Sequence, residues 1–134
     1  MKFTFKSPGD FEHFKFDAKY NTYPDCCFVV RRYFDNKTLA IGIEDVVGCE
    51  PVLTVTVNLD YADYGQKDPD DEHICIKSYS ENEGLAEAMV KAKLVEPVPM
   101  SIFPSGFVYI PMYKMTKEFA GYIRSCLESM EEDA

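Results

Sequence analysis

The chain has no tryptophan, no Cys-x-x-Cys spacing and no long apolar run, and it is short of bases. Without an unbroken apolar stretch near the ~20 residues that cross a bilayer, no transmembrane helix is expected. The opening residues, MKFTFKSPGDFEHF, alternate apolar with polar side chains and break at Pro8-Gly9. They lack the continuous apolar segment and small-residue cleavage site of a secretory signal, so a cytoplasmic protein is expected. Cys26, Cys27, Cys49, Cys75 and Cys126 are odd in number and unpaired in spacing, which reads as reduced thiols rather than a disulfide frame. The same spacing, with His13 and His73, supplies no zinc motif. G-x-S-x-G, H-E-x-x-H and P-loop signatures are all absent. No catalytic residue, metal ligand or cofactor is therefore assigned, and a non-enzymatic protein is expected.

The shortage of bases has a location. Lys and Arg number 14 against 23 Asp and Glu, a net charge of −9. Residues 1–37 carry Lys2, Lys6, Lys15, Lys19, Arg31, Arg32 and Lys37 and are net +2, whereas residues 38–134 are net −11. Such a chain repels nucleic acid over most of its surface and attracts basic proteins. The bases of the opening segment are spread over several elements without a stacking platform, so direct DNA or RNA binding is not expected. Their plainer role is pairing with the acidic remainder.

What is present in quantity is apolar and aromatic. With 134 residues, 10 Phe and 9 Tyr, the chain can close one core and reads as a single domain, 1–134. Phe3–Phe5 and Phe11–Phe16 alternate across a turn at Ser7-Pro8-Gly9-Asp10. Asn21–Asp25, with Pro24, reads as a loop. Cys26–Phe34 and Thr38–Glu44 flank Asp35-Asn36-Lys37 and form a hairpin. Val52–Leu59 has a period of two, with Leu53, Val55, Val57 and Leu59 on one face. Ile74 and Ile76 mark another strand.

Ser80-Glu81-Asn82-Glu83 has the form of a capping box, and Leu85, Ala88, Met89 and Ala92 follow at helical spacing. The pattern stops between Leu94 and Pro99. Phe107–Tyr113 reads as a strand whose Pro111 predicts an edge position or a bulge. A last helix starts at Thr116 and carries Phe119, Tyr122, Ile123, Cys126, Leu127 and Met130 on one stripe. The expected fold is α+β: a mainly antiparallel twisted sheet of five to six strands with two helices on its Leu53/Val55/Val57 face.

Three features carry candidate chemistry. Asp60, Asp63, Asp68, Asp70, Asp71 and Glu72 lie within thirteen residues, interleaved with Tyr61 and Tyr64 and opposed only by Lys67. Spaced carboxylates can imitate duplex phosphates, and tyrosines beside them add apolar contact area. The alternative is a charged, solvated connector. A calcium loop fails, because the third and fifth positions counted from Asp60 are Ala62 and Tyr64. The acidic end, including Glu128, Glu131, Glu132 and Asp133, opposes the helix macrodipole and so calls for a reason other than helix stability. His73 and Cys75 share a strand face, but no accompanying motif makes a nucleophile of them.

LTVTVNL (53–59), IKSYSENEGLAEAMVKAKLVEP (76–97) and PSGFVYIPMYKM (104–115) together resemble a family of short bacterial proteins. That family is carried largely on conjugative elements and phages of gut Firmicutes and Bacteroides. The S-x-N-E-G helix start and the later S-G-F-x-x-x-P are the most specific part of the likeness. The Lys-rich opening, the Tyr/Asp loop at 60–72 and the helix at 116–131 depart from it. The resemblance implies cargo of a mobile element, a class in which small acidic proteins block host defence in the manner of anti-restriction and anti-CRISPR proteins.

The expectation that results is an inhibitor that binds a basic nucleic-acid-handling protein, such as a nuclease or CRISPR effector. Asp60–Glu72 would form the contact, with Glu128, Glu131 and Glu132, and Tyr61 and Tyr64 would anchor it. The alternative is an assembly protein that self-associates, as a homodimer for instance, through a sheet edge near Pro111, with Ala40 and Gly42 leaving a low-relief strand face.

Overall fold

Phenylalanines at every second position decide which face of the first sheet is buried. The computed structural model describes residues 1–132, so Asp133 lies outside the described residues, as does the side chain of Glu132. Phe3 and Phe5 stand on β1 (Lys2–Phe5), Phe14 and Phe16 on β2 (Phe14–Asp17), and Phe28 on β3 (Thr22–Arg32). Antiparallel pairing sets Phe3 against Phe16 and Phe5 against Phe14. The rings of Phe3, Phe14, Phe16 and Phe28 then meet with centroids 4.5 to 6.1 Å apart. β4 (Leu39–Asp45) and β5 (Glu50–Thr54) extend the sheet in the order β1-β2-β3-β4-β5, and Leu39, Ile41 and Ile43 continue the buried face.

A second sheet holds β6 (His73–Cys75), β7 (Ser101–Ser105) and β8 (Val108–Lys114) in the order β6-β8-β7. Two helices, α1 (Leu85–Lys91) and α2 (Lys117–Glu132), complete the core. Leu85, Ala88 and Met89 of α1 join Phe119, Ile123 and Leu127 of α2 in one cluster with the phenylalanines. The α+β class expected from the sequence is what the chain adopts, with its strands divided between two sheets. No helix among the described residues is long and apolar enough to cross a membrane.

The two sheets are joined where the Val52–Leu59 strand bends. The carbonyl of Ile41 accepts from Val55 N at 2.8 Å and from Thr56 N at 3.4 Å, which ends pairing with β4. The chain then turns to β6: Val57 N donates to Cys75 O at 3.0 Å, and Lys77 N donates to Val55 O at 2.8 Å. Thr56, on the face opposite Leu53, Val55, Val57 and Leu59, is buried as well. Its Oγ1 accepts from Ile41 N at 3.0 Å and bonds the Tyr33 hydroxyl at the same distance, so its desolvation is compensated. Leu53 and Val55 belong to the main core, whereas Val57 and Leu59 fall in a smaller one beneath the second sheet.

Local readings differ from the structure where tertiary contacts supply what the sequence did not show. Asn21–Asp25 is not a loop from Thr22 onward but the start of β3, and Pro24 lies where the β2–β3 register shifts and no ladder N–H is required. Ser80 does not cap a helix. It takes φ +58°, and α1 begins after Gly84, whose φ of +92° suits a residue without a Cβ. Ser78 Oγ accepts from Ala86 N at 3.0 Å instead.

Strand β7 has no period-two signal. It pairs with β8 across Gly106-Phe107, with Gly106 at φ +60° as a two-residue hairpin turn demands. β8 is consequently central, and Pro111 is not on an edge. Its carbonyl accepts from Ile76 N at 3.0 Å, and β6 stops at Cys75, so the missing proline N–H falls where that ladder ends. Thr116 does open α2: its Oγ1 accepts from Phe119 N at 3.4 Å and donates to Lys93 O at 2.8 Å.

Phe119 is fully buried, with its ring against Phe28 at 5.0 Å and Phe11 at 5.4 Å. Phe119→Ala is expected to cost about 3–5 kcal/mol through lost transfer energy and a residual cavity. Urea denaturation checks this: the midpoint should fall with little change in slope.

Candidate partner-binding surface

The acidic loop is held by its tyrosines rather than displaying them. A single 3-10 turn, Tyr61–Tyr64, follows Asp60 and rests on the hairpin of β7 and β8. Tyr61 is buried; its hydroxyl donates to Cys75 Sγ at 3.1 Å, and its ring meets Phe103 edge-on at 5.7 Å. Desolvation lifts the Tyr61 pKa far above the phenol range. Burial likewise pushes the Cys75 thiol up, against the opposing pull of the Tyr61 hydrogen bond, which leaves it a neutral packing group. Tyr64 donates to Pro104 O at 2.7 Å and stacks edge-on against Phe103 at 5.1 Å. Of the two tyrosines expected to anchor a partner, Tyr61 is spent inside the molecule and Tyr64, half-buried, is engaged with the second sheet, because the loop needs apolar contacts to sit there.

The carboxylates divide into two groups. Asp71 makes a bidentate pair with Arg32 at 2.8 and 2.7 Å, and this guanidinium holds its pKa below the usual carboxylate value. Arg32 also donates to Lys37 O at 3.0 Å. Asp70 accepts from His73 Nδ1 at 2.7 Å and from Glu72 N at 2.9 Å, and the His73 bond is the main cause of its lowered pKa. His73 and Cys75 therefore have separate partners.

Asp60, Asp63, Asp68 and Glu72 are exposed and form no ion pair among the described residues. A fifth carboxylate joins them. Asp35, in the β3–β4 turn, accepts from Asn58 Nδ2 at 2.8 Å, and this bond holds its pKa low. Asn36 Nδ2 donates to Asn58 Oδ1 at 2.8 Å, which docks the turn onto the strand that leads into the loop. Between turn and loop lies an open hollow of about 530 Å3, edged by Asp35, Asn36, Asp60, Gln66, Lys67 and Asp68.

Beside Asp35, Phe34 is 91% exposed, with Lys37 Nζ 4.7 Å from its ring centroid. Sequence reasoning missed Phe34 and Asp35, since both read simply as the end of a strand and its turn. Their only signal was the Asp-Asn turn itself, and nothing local says that this turn folds against residues 58–68.

The acidic end of α2 is a neighbour of the loop, and the junction is basic. Arg32 feels Glu131 as well as Asp71, and Asp71 feels Arg124. Glu128 and Glu131 are exposed, while the Glu132 side chain and Asp133 lie outside the described residues. Among the described residues, no three His, Cys, Asp or Glu side chains gather as they would to hold a metal ion. Comparison of the chain with protein-family models, curated proteins and solved structures finds no match in any of the three.

Asp71→Asn tests the Arg32 tether. A carboxylate with a depressed folded-state pKa stabilises the fold above its unfolded value, and that contribution disappears as pH falls through the folded value. The pair is partly exposed, so wild type should exceed the variant by about 0.5–1 kcal/mol at neutral pH. In urea titrations at stepped pH, the gap should close on the acid side of the ordinary carboxylate range.

Proposed function

We propose that this chain is a non-enzymatic binding protein that occupies the nucleic-acid groove of a basic host-defence protein, in the manner of a mobile-element inhibitor. The observation that carries this reading is that Asp35, from the β3–β4 turn, shares one hollow with Asp60 and Asp68 of the loop, while Asp63 and Glu72 are exposed along the same loop without an ion pair among the described residues. They stand on a hydrogen-bonded frame with the bare ring of Phe34 beside them. Carboxylates on such a frame can take the places of backbone phosphates at Arg and Lys side chains. They also steer a basic partner into contact from beyond touching distance.

Affinity needs a desolvated centre as well as charge, and Phe34 supplies the apolar anchor that Tyr61 and Tyr64 do not. Asp70 and Asp71 serve the frame, since their charges are committed to His73 and Arg32. Glu128 and Glu131 extend the negative surface past the Arg32–Arg124 junction. His73 and Cys75 act as structure, each holding the loop through its own bond.

The test uses the full chain as bait in a bacterial lysate, followed by competition for each captured protein's nucleic acid. The expected result is capture of a DNA- or RNA-binding protein from which the chain displaces a labelled duplex. Raising salt until the Debye length falls below its physiological ~8 Å should weaken the contact strongly. The Asp60→Asn/Asp63→Asn/Asp68→Asn variant should compete at least about tenfold less well, largely through slower association. Equal competition by that variant, or binding that ignores salt, removes the acidic surface from the mechanism.

A further inference from the structure

Between Pro97 and Tyr113 the sequence carries no charged residue, in a chain that is 28% charged. At the β7–β8 hairpin one face of this stretch goes to the smaller core, and on the other face Tyr113, at the far end of β8, packs against the main core. Phe103 and Ile110 pair across β7 and β8 and are buried beneath the Tyr61–Tyr64 turn. Alternation puts Ile102, Pro104, Tyr109 and Pro111 on the opposite face. There Ile102 is 58% exposed and Tyr109 73%, with Met100 at 60% and Val98 at 71% on the lead-in and Phe107 fully exposed at the tip. A large aromatic side chain presents ~150–250 Å2, so these five together offer on the order of 600 Å2 of apolar surface. The largest such patch on a monomer is ~300–600 Å2, and a stable interface takes ~800 Å2 from each partner.

We infer that this hairpin face is the contact between two copies of the chain, packed face to face about a two-fold axis. Two considerations select a second copy. A basic partner would find no carboxylate within residues 97–113 to recognise, whereas homodimer contacts are the apolar ones. Two copies that each carry −9 also need an uncharged surface on which to meet, and this stretch is one.

The contact is between faces and not between edges. The ladder turns the peptide groups of Ile102 and Pro104 to the free side of β7. Pro104 has no N–H, and its carbonyl is taken by Tyr64. Strand addition there is blocked, which directs association to the side chains. Tyr109 and Phe107 are its aromatic anchors.

Sedimentation velocity of the full chain across the micromolar range, repeated at rising salt, tests this. Wild type should sediment as a dimer, with a melting temperature that rises with protein concentration. Added salt should preserve or strengthen the dimer, since it screens the repulsion between like-charged copies. That sign is opposite to the one expected for the basic partner, so the two readings fail separately. Ile102→Ser/Tyr109→Ser should weaken association at least about tenfold while melting like dilute wild type. Phe34→Ser should leave it unchanged. A monomer at every concentration overturns the inference, as does a double variant that dimerises normally. A monomer that floats with phosphatidylcholine vesicles does so too, by giving the face to a lipid surface.

Discussion

The bend at Val55–Thr56 is the constraint on which the remaining architecture rests. One chain segment ends the first sheet at Ile41 and begins the attachment of the second at Cys75 and Lys77. The Ile41 carbonyl receives two amides, and its amide is satisfied by the Thr56 hydroxyl. A buried hydroxyl in that position is costly unless bonded, and here it has both Ile41 and Tyr33 as partners. Because the strand turns there, residues 57–72 run beside the β3–β4 turn instead of continuing along β4. The placement of the loop carboxylates beside Asp35 follows from that bend.

Electrostatics then sorts the acids by what the frame needs. Arg32 points to the core face at the end of β3, where it meets Asp71, the Lys37 carbonyl and the field of Glu131. This single guanidinium ties the loop to the hairpin turn. The expected pairing of the opening segment's bases with the acidic remainder is made by Arg32, with Asp71, and by Lys19. Lys19 reaches Glu83 at 3.6 Å, but no lysine of β1 or β2 meets the acidic loop among the described residues. The loop therefore keeps most of its negative charge. Tyr61 and Tyr64 pin it to the second sheet at one end and Asp71 pins it to Arg32 at the other, so that charge is held in a defined place.

Apolar surface is divided by the same economy. The uncharged run from Pro97 to Tyr113 seals the smaller core with Phe103 and Ile110 and leaves Ile102 and Tyr109 outside. With Ile102 and Tyr109 exposed on one face of the β7–β8 hairpin, the second sheet has more apolar area than the described residues cover. The acidic loop and this hairpin look outward from opposite faces of β7, so one surface is suited to charge and the other to contact without charge.

Much of this was legible in the order of residues, and the reasons are local. The β3–β4 hairpin follows from two alternating runs around Asp35-Asn36-Lys37, and α2 from a stripe with a threonine before it. Burial of Phe3, Phe16 and Phe28 follows from period two. The α+β class follows from these elements together, as does the sign and position of the charge. Only the tertiary structure decided that Val52–Leu59 serves two sheets, that Pro111 sits in a central strand and that Tyr61 is interior while Phe34 is bare. Those outcomes depend on which distant segment supplies the missing hydrogen bond or apolar contact. Period and propensity report what one stretch of chain prefers, whereas the Arg32–Asp71 pair and the Asn36–Asn58 bond join residues 39 and 22 positions apart.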